Sequence, residues 1–309
     1  MAFKERTEPI ILSKLRILNK RMQLSDEEKR YLSNLDKGYK GELQFDAMTE
    51  TLTSSCLILN ELLLEVEKTT FQIDALIIFS GTLYIFEIKN NQGDYLYKQD
   101  ALTSITTGVT IKNPLDQLNR TRLLFKKLIN QLGYNFKIQG SVVFVNPEFT
   151  LYHAQPDLPF IFPTQIKRLH ENLNNQPGSI STNHYKLAAK LVSLHQIESS
   201  NSKLPAFSYD ELKKGVTCLA CESFEVRVDG HKLFCTMCGH NEKVELAVLR
   251  SIYEIQLLLP EQPLTTPIVQ EWCNVITDGK RISRILAKHF NYSNPKKGRT
   301  YTNPKYPTM

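Results

Sequence analysis

The amino-acid sequence predicts an α/β fold, followed by a small cysteine-rich ribbon and a helical C-terminal module. Two apolar runs flank Ser80-Gly81 and predict a β-hairpin, and the elements around it follow the order helix, three strands, helix, strand. Two C-x-x-C pairs come later in the chain. The predicted divisions are an N-terminal helical arm (1–35), an α/β domain (36–170), a helical connector and linker (171–207), the ribbon (208–243) and the C-terminal module (244–309).

The composition is that of an ordinary globular protein. The 309 residues are 41% hydrophobic and 23% charged, and the net charge of +6 permits a polyanionic partner without requiring one. No apolar run approaches the roughly 18 residues that a membrane helix needs. The first 22 residues lack the apolar core and cleavage site of a secretory signal. We therefore expect a cytoplasmic protein with no membrane partner.

The N-terminal elements are predicted from capping signals and apolar spacing. Ser25-Asp-Glu-Glu28 has the form of a capping box, within an arm whose apolar residues recur at helical spacing. The stretch Gly38-Tyr-Lys-Gly41-Glu42 then opens a helix that runs to about Thr49, which places Glu42 near the helix start. A strand at 57–66 leads into the hairpin.

The hairpin places charged residues together at one end. Counting back from the Ser80-Gly81 turn, Asp74 lies directly opposite Glu87, and Lys89 lies on the same face as Glu87. Like charges opposite each other in a ladder cost up to roughly 1 kcal/mol, so the two carboxylates need compensation. A divalent cation would supply it. The alternative is a surface ion pair between Asp74 and Lys89, which leaves Glu87 unexplained.

Further elements follow the hairpin. Short strands are expected within 103–111, and Asn113-Pro114 is a good start for a helix that runs to about Leu132. The apolar run at 141–145 predicts another buried strand, and a helix is expected at 184–197.

Four short motifs follow one another along the first half of the chain: Gly41-Glu42, Gln72-Ile-Asp74, Phe86-Glu87-Ile-Lys89 and Asn113-Pro-Leu-Asp-Gln117. In this order they resemble the nuclease-related domain called NERD, a family of the PD-(D/E)XK nuclease-like superfamily. The resemblance covers roughly residues 36 to 150 and implies a restriction-endonuclease-like core with a mixed sheet. Ile73 stands where the superfamily name suggests proline.

Phosphodiester hydrolysis needs an activated water and neutralisation of phosphate charge, and hydrated Mg²⁺ or Mn²⁺ held by carboxylates supplies both. Asp74 and Glu87 are the candidate ligands. Lys89 can orient the water and stabilise developing charge. Glu42 can complete the metal site, and Gln117 can hold a water or contact the phosphate. For Glu42 and Gln117, capping or solvation is an equally good interpretation.

The two cysteine pairs predict a zinc ribbon. A short hairpin that turns at Asp229-Gly230 brings the pairs together, and four thiolates close a tetrahedral structural site for one Zn²⁺. The alternatives are a redox pair or unligated buried thiols. The predicted ligands are Cys218, Cys221, Cys235 and Cys238.

The C-terminal module has three predicted helices, and the last of them is basic. This pattern resembles a winged helix-turn-helix whose tail forms the wing. The alternative is a solvated basic tail on a helical packing module. The basic residues that we expect to contact nucleic acid are Lys280, Arg281, Arg284, Lys288, Lys296, Lys297 and Arg299.

These patterns together favour a metal-dependent nuclease that acts on nucleic acid, with DNA as the expected substrate. The competing hypothesis is a non-catalytic DNA-binding or regulatory protein that retains the nuclease-like fold. The presence of Asp74, Glu87 and Lys89 together favours the enzyme.

Overall fold

A computed structural model describes residues 1–196, 204–293 and 298–304 of the chain. The chain divides into two compact units. The first unit consists of Met1–Pro9 and Ser33–Ser202, and the second of Ile10–Leu32 and Lys203–Met309. Among the described residues, no helix combines the length and the apolar character needed to cross a membrane.

The chain begins with two helices, and the first unit then alternates strands and helices. Its main elements match the predicted order. The bounds in chain order are α1 (Ile10–Arg21), α2 (Asp26–Glu50), β1 (Leu57–Val66), β2 (Thr69–Ile78), β3 (Thr82–Lys89), β4 (Gly93–Lys98), β5 (Ala101–Ser104), β6 (Thr110–Ile111), α3 (Pro114–Gln131), β7 (Lys137–Phe144), β8 (Phe149–Tyr152), β9 (Phe160–Ile161), α4 (Ile166–Asn174) and α5 (Thr182–Ser193). Three strands of an additional four-stranded sheet, β6-β5-β4-β8, come before the third helix.

The main sheet has the strand order β1-β2-β3-β7-β9. The first three strands are antiparallel, whereas β7 pairs in parallel with β3 and with β9. The sheet is therefore mixed, and the predicted α/β fold is confirmed. The predicted hairpin register is confirmed as well, since Ala75 pairs with Phe86 and Leu76 with Ile85.

Apolar cores cover both faces of this sheet. Leu76 and Ile85 belong to the core that includes residues of α3, whereas Ile77 and Phe86 lie in a second core with Phe45 of α2. Burial of one such side chain contributes roughly 1.5–3 kcal/mol, so apolar packing on both faces stabilises the central strands. Polar side chains at the ends of these strands are consequently shielded from water.

Helix α2 differs from the prediction, because it is one continuous helix and Glu42 lies well inside it. The capping box at Ser25 forms as expected: the Glu28 carboxylate accepts from the Ser25 amide at 2.7 Å, so the helix starts there. Gly41 has another function. A Cβ at this position would lie 2.5 Å from the Cβ of Asn90, so glycine permits close packing on the end of β3.

The second unit combines a three-stranded ribbon with helices and a short three-stranded sheet. A core around the fully buried Trp272 joins α1, residues of the ribbon and the C-terminal helices. The bounds are β10 (Val226–Asp229), β11 (Lys232–Cys235), β12 (Asn241–Lys243), α6 (Val244–Leu258), β13 (Leu264–Thr265), α7 (Thr266–Cys273), α8 (Gly279–His289), β14 (Phe290–Ser293) and β15 (Thr300–Pro304).

Candidate functional site

Strands β2 and β3 bring Asp74, Glu87 and Lys89 to the end of the hairpin away from its turn. The β2–β3 ladder ends at the pair Ala75–Phe86, next to Asp74 and Glu87. Beyond this pair the Asp74 Oδ2 atom accepts from the Ile88 amide at 2.8 Å. The Lys89 Nζ atom donates to Glu87 Oε1 at 2.6 Å. Asp74 is only 6% exposed and Glu87 only 2%. A surface ion pair between Asp74 and Lys89 therefore does not describe this group.

Gln117 joins the group from the first part of α3. Asn113 caps the helix by accepting from the Leu115 amide at 3.1 Å, as the sequence predicts. The Lys89 Nζ atom donates to Gln117 Oε1 at 3.2 Å. Lys89 is thus held between a carboxylate of its own strand and an amide of the helix.

Glu42 is connected to the same site through Arg6. The guanidinium of Arg6 donates to Glu42 Oε2 at 2.7 Å, to both oxygens of Asp46 at 2.7 and 3.0 Å, and to the Asp74 carbonyl at 2.8 Å. The Arg6 side chain is 1% exposed. Glu42 therefore lies next to the candidate metal site and does not act as a cap at a helix start.

The sequence interpretation missed Arg6 and Asp46. One signal was present, because Glu42 and Asp46 are four residues apart on one helix face, where two like charges need a cation. No local pattern identifies that cation, since Arg6 lies 36 residues before Glu42.

Burial governs the electrostatics of the site. Burial and repulsion from Asp74 raise the pKa of Glu42 and of Glu87 to about 8. Burial also raises the pKa of Asp74, against the opposing effects of Lys89 and the Ile88 amide. Burial alone would lower the pKa of Lys89, but Glu87 and Asp74 outweigh it and the pKa is raised. Without a bound cation, the three carboxylates are therefore not all ionised at neutral pH.

The carboxylates have the chemistry of a divalent-cation site. Among the residues that the structure describes, Glu42, Asp74 and Glu87 each use one oxygen in a hydrogen bond, and the other accepts none. The oxygens of these three carboxylates do not all lie within 4.8 Å of one another. Among the described residues, only the four cysteines bring three or more potential ligand atoms that close together. Mg²⁺ keeps several waters and is commonly held by one or two carboxylates, which fits this arrangement.

The four predicted cysteines come together in the second unit. The Sγ atoms of Cys218 and Cys238 are 3.7 Å apart, those of Cys221 and Cys235 are 3.6 Å apart, and all four lie within 4.8 Å of one another. A tetrahedral zinc site with Zn–S bonds of about 2.3 Å separates its sulfurs by about 3.8 Å. The cluster therefore has the geometry of a zinc site.

The basic residues that the sequence predicts to contact nucleic acid differ in their surroundings: some are exposed to solvent, and others have partners within the second unit. Lys280 is exposed at the helix start, whereas the Arg281 guanidinium donates to the Gly230 carbonyl of the ribbon at 2.8 Å. Arg284 lies 3.8 Å from an Asp278 oxygen, and Lys288 pairs with Glu245 at 2.7 Å. The guanidinium of Arg299 lies 4.6 Å from the Tyr292 ring centre. Lys296 and Lys297 lie outside the described residues.

The mixed sheet and its flanking helices fit an α/β nuclease-like fold. Residues 37–145 match the family model of the nuclease-related domain, NERD. The match spans roughly a third of the chain and contains Glu42, Asp74, Glu87, Lys89 and Gln117. It contains neither Arg6 nor the cysteine cluster. No curated protein and no solved structure matches the chain.

Proposed function

We propose that this protein is a metal-dependent nuclease that hydrolyses phosphodiester bonds in nucleic acid, with DNA as its substrate. The observation that carries the proposal is the group of Asp74, Glu87 and Lys89, held together at one end of the central hairpin within a nuclease-related domain. Two nearly buried carboxylates beside one lysine cost stability, so the arrangement points to a functional group and not to a structural one.

Asp74 and Glu87 would hold Mg²⁺ or Mn²⁺ through the oxygens that make no hydrogen bond, and Glu42 would adjust the site from α2. The bound ion would neutralise phosphate charge and lower the pKa of its water. The raised pKa values of Glu42 and Glu87 support this assignment, because a divalent cation compensates the mutual repulsion that raises them.

Lys89 and Gln117 would act on the attacking water and on the phosphate. The Lys89 ammonium has three N–H donors, of which Glu87 and Gln117 occupy two. The third remains for a water or a phosphate oxygen. Because both partners fix the direction of the ammonium, it can stabilise negative charge that develops in the transition state without first reorganising.

The second unit would supply affinity for the nucleic acid. Three helices followed by the β14–β15 hairpin support a winged-helix arrangement, in which α8 is the recognition helix. The exposed basic residues of α8 would contact phosphates. One Zn²⁺ at the four cysteines would stabilise the ribbon, and a site made of reduced thiols fits the cytoplasm.

The test is cleavage of nucleic acid by the purified protein. The substrates are supercoiled plasmid, linear duplex, single-stranded DNA and RNA, each with Mg²⁺, with Mn²⁺ and with a chelator. We expect cleavage of DNA that depends on the divalent ion and is abolished in Asp74→Asn. The matched control is Glu67→Gln, whose carboxylate lies on the exposed β1–β2 turn and should have no effect.

If none of the four substrates were cleaved in a divalent-dependent reaction, the proposed nuclease activity would be contradicted. Retained binding of DNA by the same preparation would then establish the competing function, a DNA-binding protein that keeps a nuclease-like fold.

A further inference from the structure

Arg6 lies outside the matched nuclease-related domain, yet its side chain is part of the candidate site. Its guanidinium makes four hydrogen bonds, to Glu42, to both oxygens of Asp46 and to the backbone carbonyl of Asp74. The residues that the family match covers therefore do not make up the whole site.

Backbone pairing fixes the position of Arg6. The Phe3 amide donates to the Ile58 carbonyl at 2.8 Å, and the Asn60 amide donates to the Lys4 carbonyl at 3.0 Å. This short parallel pairing places the N-terminal segment beside β1 of the main sheet. Arg6 thus enters the site from an ordered segment, two residues after Lys4.

The hydrogen bonds of Arg6 decide which oxygens remain for a metal ion. Asp46 has both oxygens on the guanidinium, and Glu42 has one. When all are ionised, the four carboxylates of the site carry two more negative charges than Arg6 and Lys89 together neutralise. One divalent cation balances that difference.

We propose that Arg6 is a built-in cation that takes the place of a second divalent ion, so that the site holds a single Mg²⁺ or Mn²⁺. The inference rests on the proposed nuclease function and adds its metal stoichiometry. Arg6 is a positioning residue in this scheme, because it acts through Glu42 and Asp46 and not on the phosphate.

The test counts bound Mn²⁺ by equilibrium dialysis of the zinc-loaded, full-length protein, with zinc measured in the same samples. We expect about one Mn²⁺ per wild-type chain. Arg6→Gln frees Asp46 and the second oxygen of Glu42, and we expect about two. Arg6→Lys keeps the charge and should restore one. The double variant Arg6→Gln, Asp46→Asn removes the freed carboxylate and should also bind one.

A further variant serves if Arg6→Gln does not fold. Asp46→Asn keeps Arg6 but leaves its charge less compensated beside Glu42, so the Kd for Mn²⁺ should rise about tenfold with one ion still bound. An unchanged Kd would overturn the proposal.

The remaining outcomes separate the two proposals. One Mn²⁺ in both the wild type and folded Arg6→Gln, or two in the wild type, would overturn the assignment of Arg6 and leave the nuclease standing. No Mn²⁺ in the wild type, together with no cleavage, would overturn both.

Discussion

The two units of this protein carry candidate metal ligands of opposite character. In the first unit, carboxylate oxygens lie on a helix and on strands of eight and ten residues, within a sheet whose two faces are already covered by apolar cores. In the second unit, four thiol sulfurs form one cluster in a ribbon whose strands have only three or four residues. Strands this short are marginally stable at best by themselves.

Under the proposed function, this difference in ligands separates an ion that takes part in catalysis from an ion that takes part in folding. Oxygen ligands on a preformed sheet favour an exchangeable, hydrated Mg²⁺ with room for substrate. Four sulfurs at tetrahedral spacing favour a closed Zn²⁺ site with no open position. Removal of the first ion should stop the reaction and leave the fold intact, whereas removal of the second should unfold its unit.

The largest expected effect is that of Cys235→Ser. Structural zinc sites contribute an apparent ~10–16 kcal/mol of binding free energy that is coupled to folding, so loss of one thiolate should release zinc and unfold the second unit. Trp272 is the only tryptophan and is fully buried in this unit, so its fluorescence reports the unfolding. The control is Cys56→Ser in the first unit. Retained zinc with unchanged Trp272 emission would show that Cys235 is needed neither for zinc binding nor for the fold of the second unit.

The next effect is that of Lys89→Ala on turnover. Loss of a fixed donor to developing charge should lower kcat by about 100-fold or more. Mn²⁺ should bind at least as tightly as before, since a positive charge beside its ligands has been removed. Single-turnover kinetics and Mn²⁺ dialysis measure the two quantities. A weaker Kd for Mn²⁺ would mean that Lys89 supports the ligands and not the chemistry.

The metal-free first unit should lose stability as the pH rises. The folded pKa of Glu42 and of Glu87 is about 8, above the ordinary 4.5, so their stabilising contribution is complete below about pH 4.5 and is lost as the pH rises through about 8. The loss is on the order of 3 kcal/mol, because protonation of one carboxyl relieves its neighbours and the contributions do not add.

Urea unfolding followed by circular dichroism measures this loss, with Trp272 fluorescence reporting the second unit separately. Mg²⁺ should restore stability at the high-pH end, and Glu87→Gln should flatten the profile. If the metal-free first unit were equally stable at about pH 4.5 and above pH 8, the raised pKa values of Glu42 and Glu87 would be contradicted.

Substitution of two glycines in α2 tests whether close packing of this helix against the end of β3 stabilises the first unit. Gly41→Ala should destabilise the first unit by about 1–3 kcal/mol, because its Cβ would collide with Asn90 next to Lys89. Gly38→Ala is the matched control on the same helix. It meets open space and should stabilise the unit by roughly 0.5–1 kcal/mol through helix propensity. Equal effects of the two substitutions in urea unfolding would show that the close packing at Gly41 has no energetic weight.

The smallest effect concerns binding by the second unit. Lys280 is exposed at the start of α8, and Lys280→Ala should reduce the salt slope of duplex DNA binding by roughly 0.9, the value of one phosphate contact. Lys186→Ala changes an exposed lysine of α5 in the first unit and should leave the slope unchanged. Fluorescence anisotropy at several salt concentrations measures both. An identical slope for Lys280→Ala and the wild type would remove this lysine from the interface.

Local patterns in the sequence determined much of the candidate site. The two-residue turn at Ser80-Gly81 and the two-residue period of strands place Asp74, Glu87 and Lys89 on one face, and the structure has the predicted register. The spacing of the four cysteines likewise predicts that they meet, since a short hairpin between two pairs leaves few other arrangements. In both cases the residues that interact are close along the chain.

The tertiary structure alone decided the contacts that join distant segments. Arg6 reaches Glu42 and Asp46 across 36 and 40 residues, and Gln117 reaches Lys89 across 28. No local period encodes such pairings, because they depend on how the N-terminal segment, α2 and α3 pack on the sheet. The continuity of α2 through Gly41 has the same origin. Propensity predicts a boundary at the glycines, but packing against Asn90 makes the small residue favourable inside a helix.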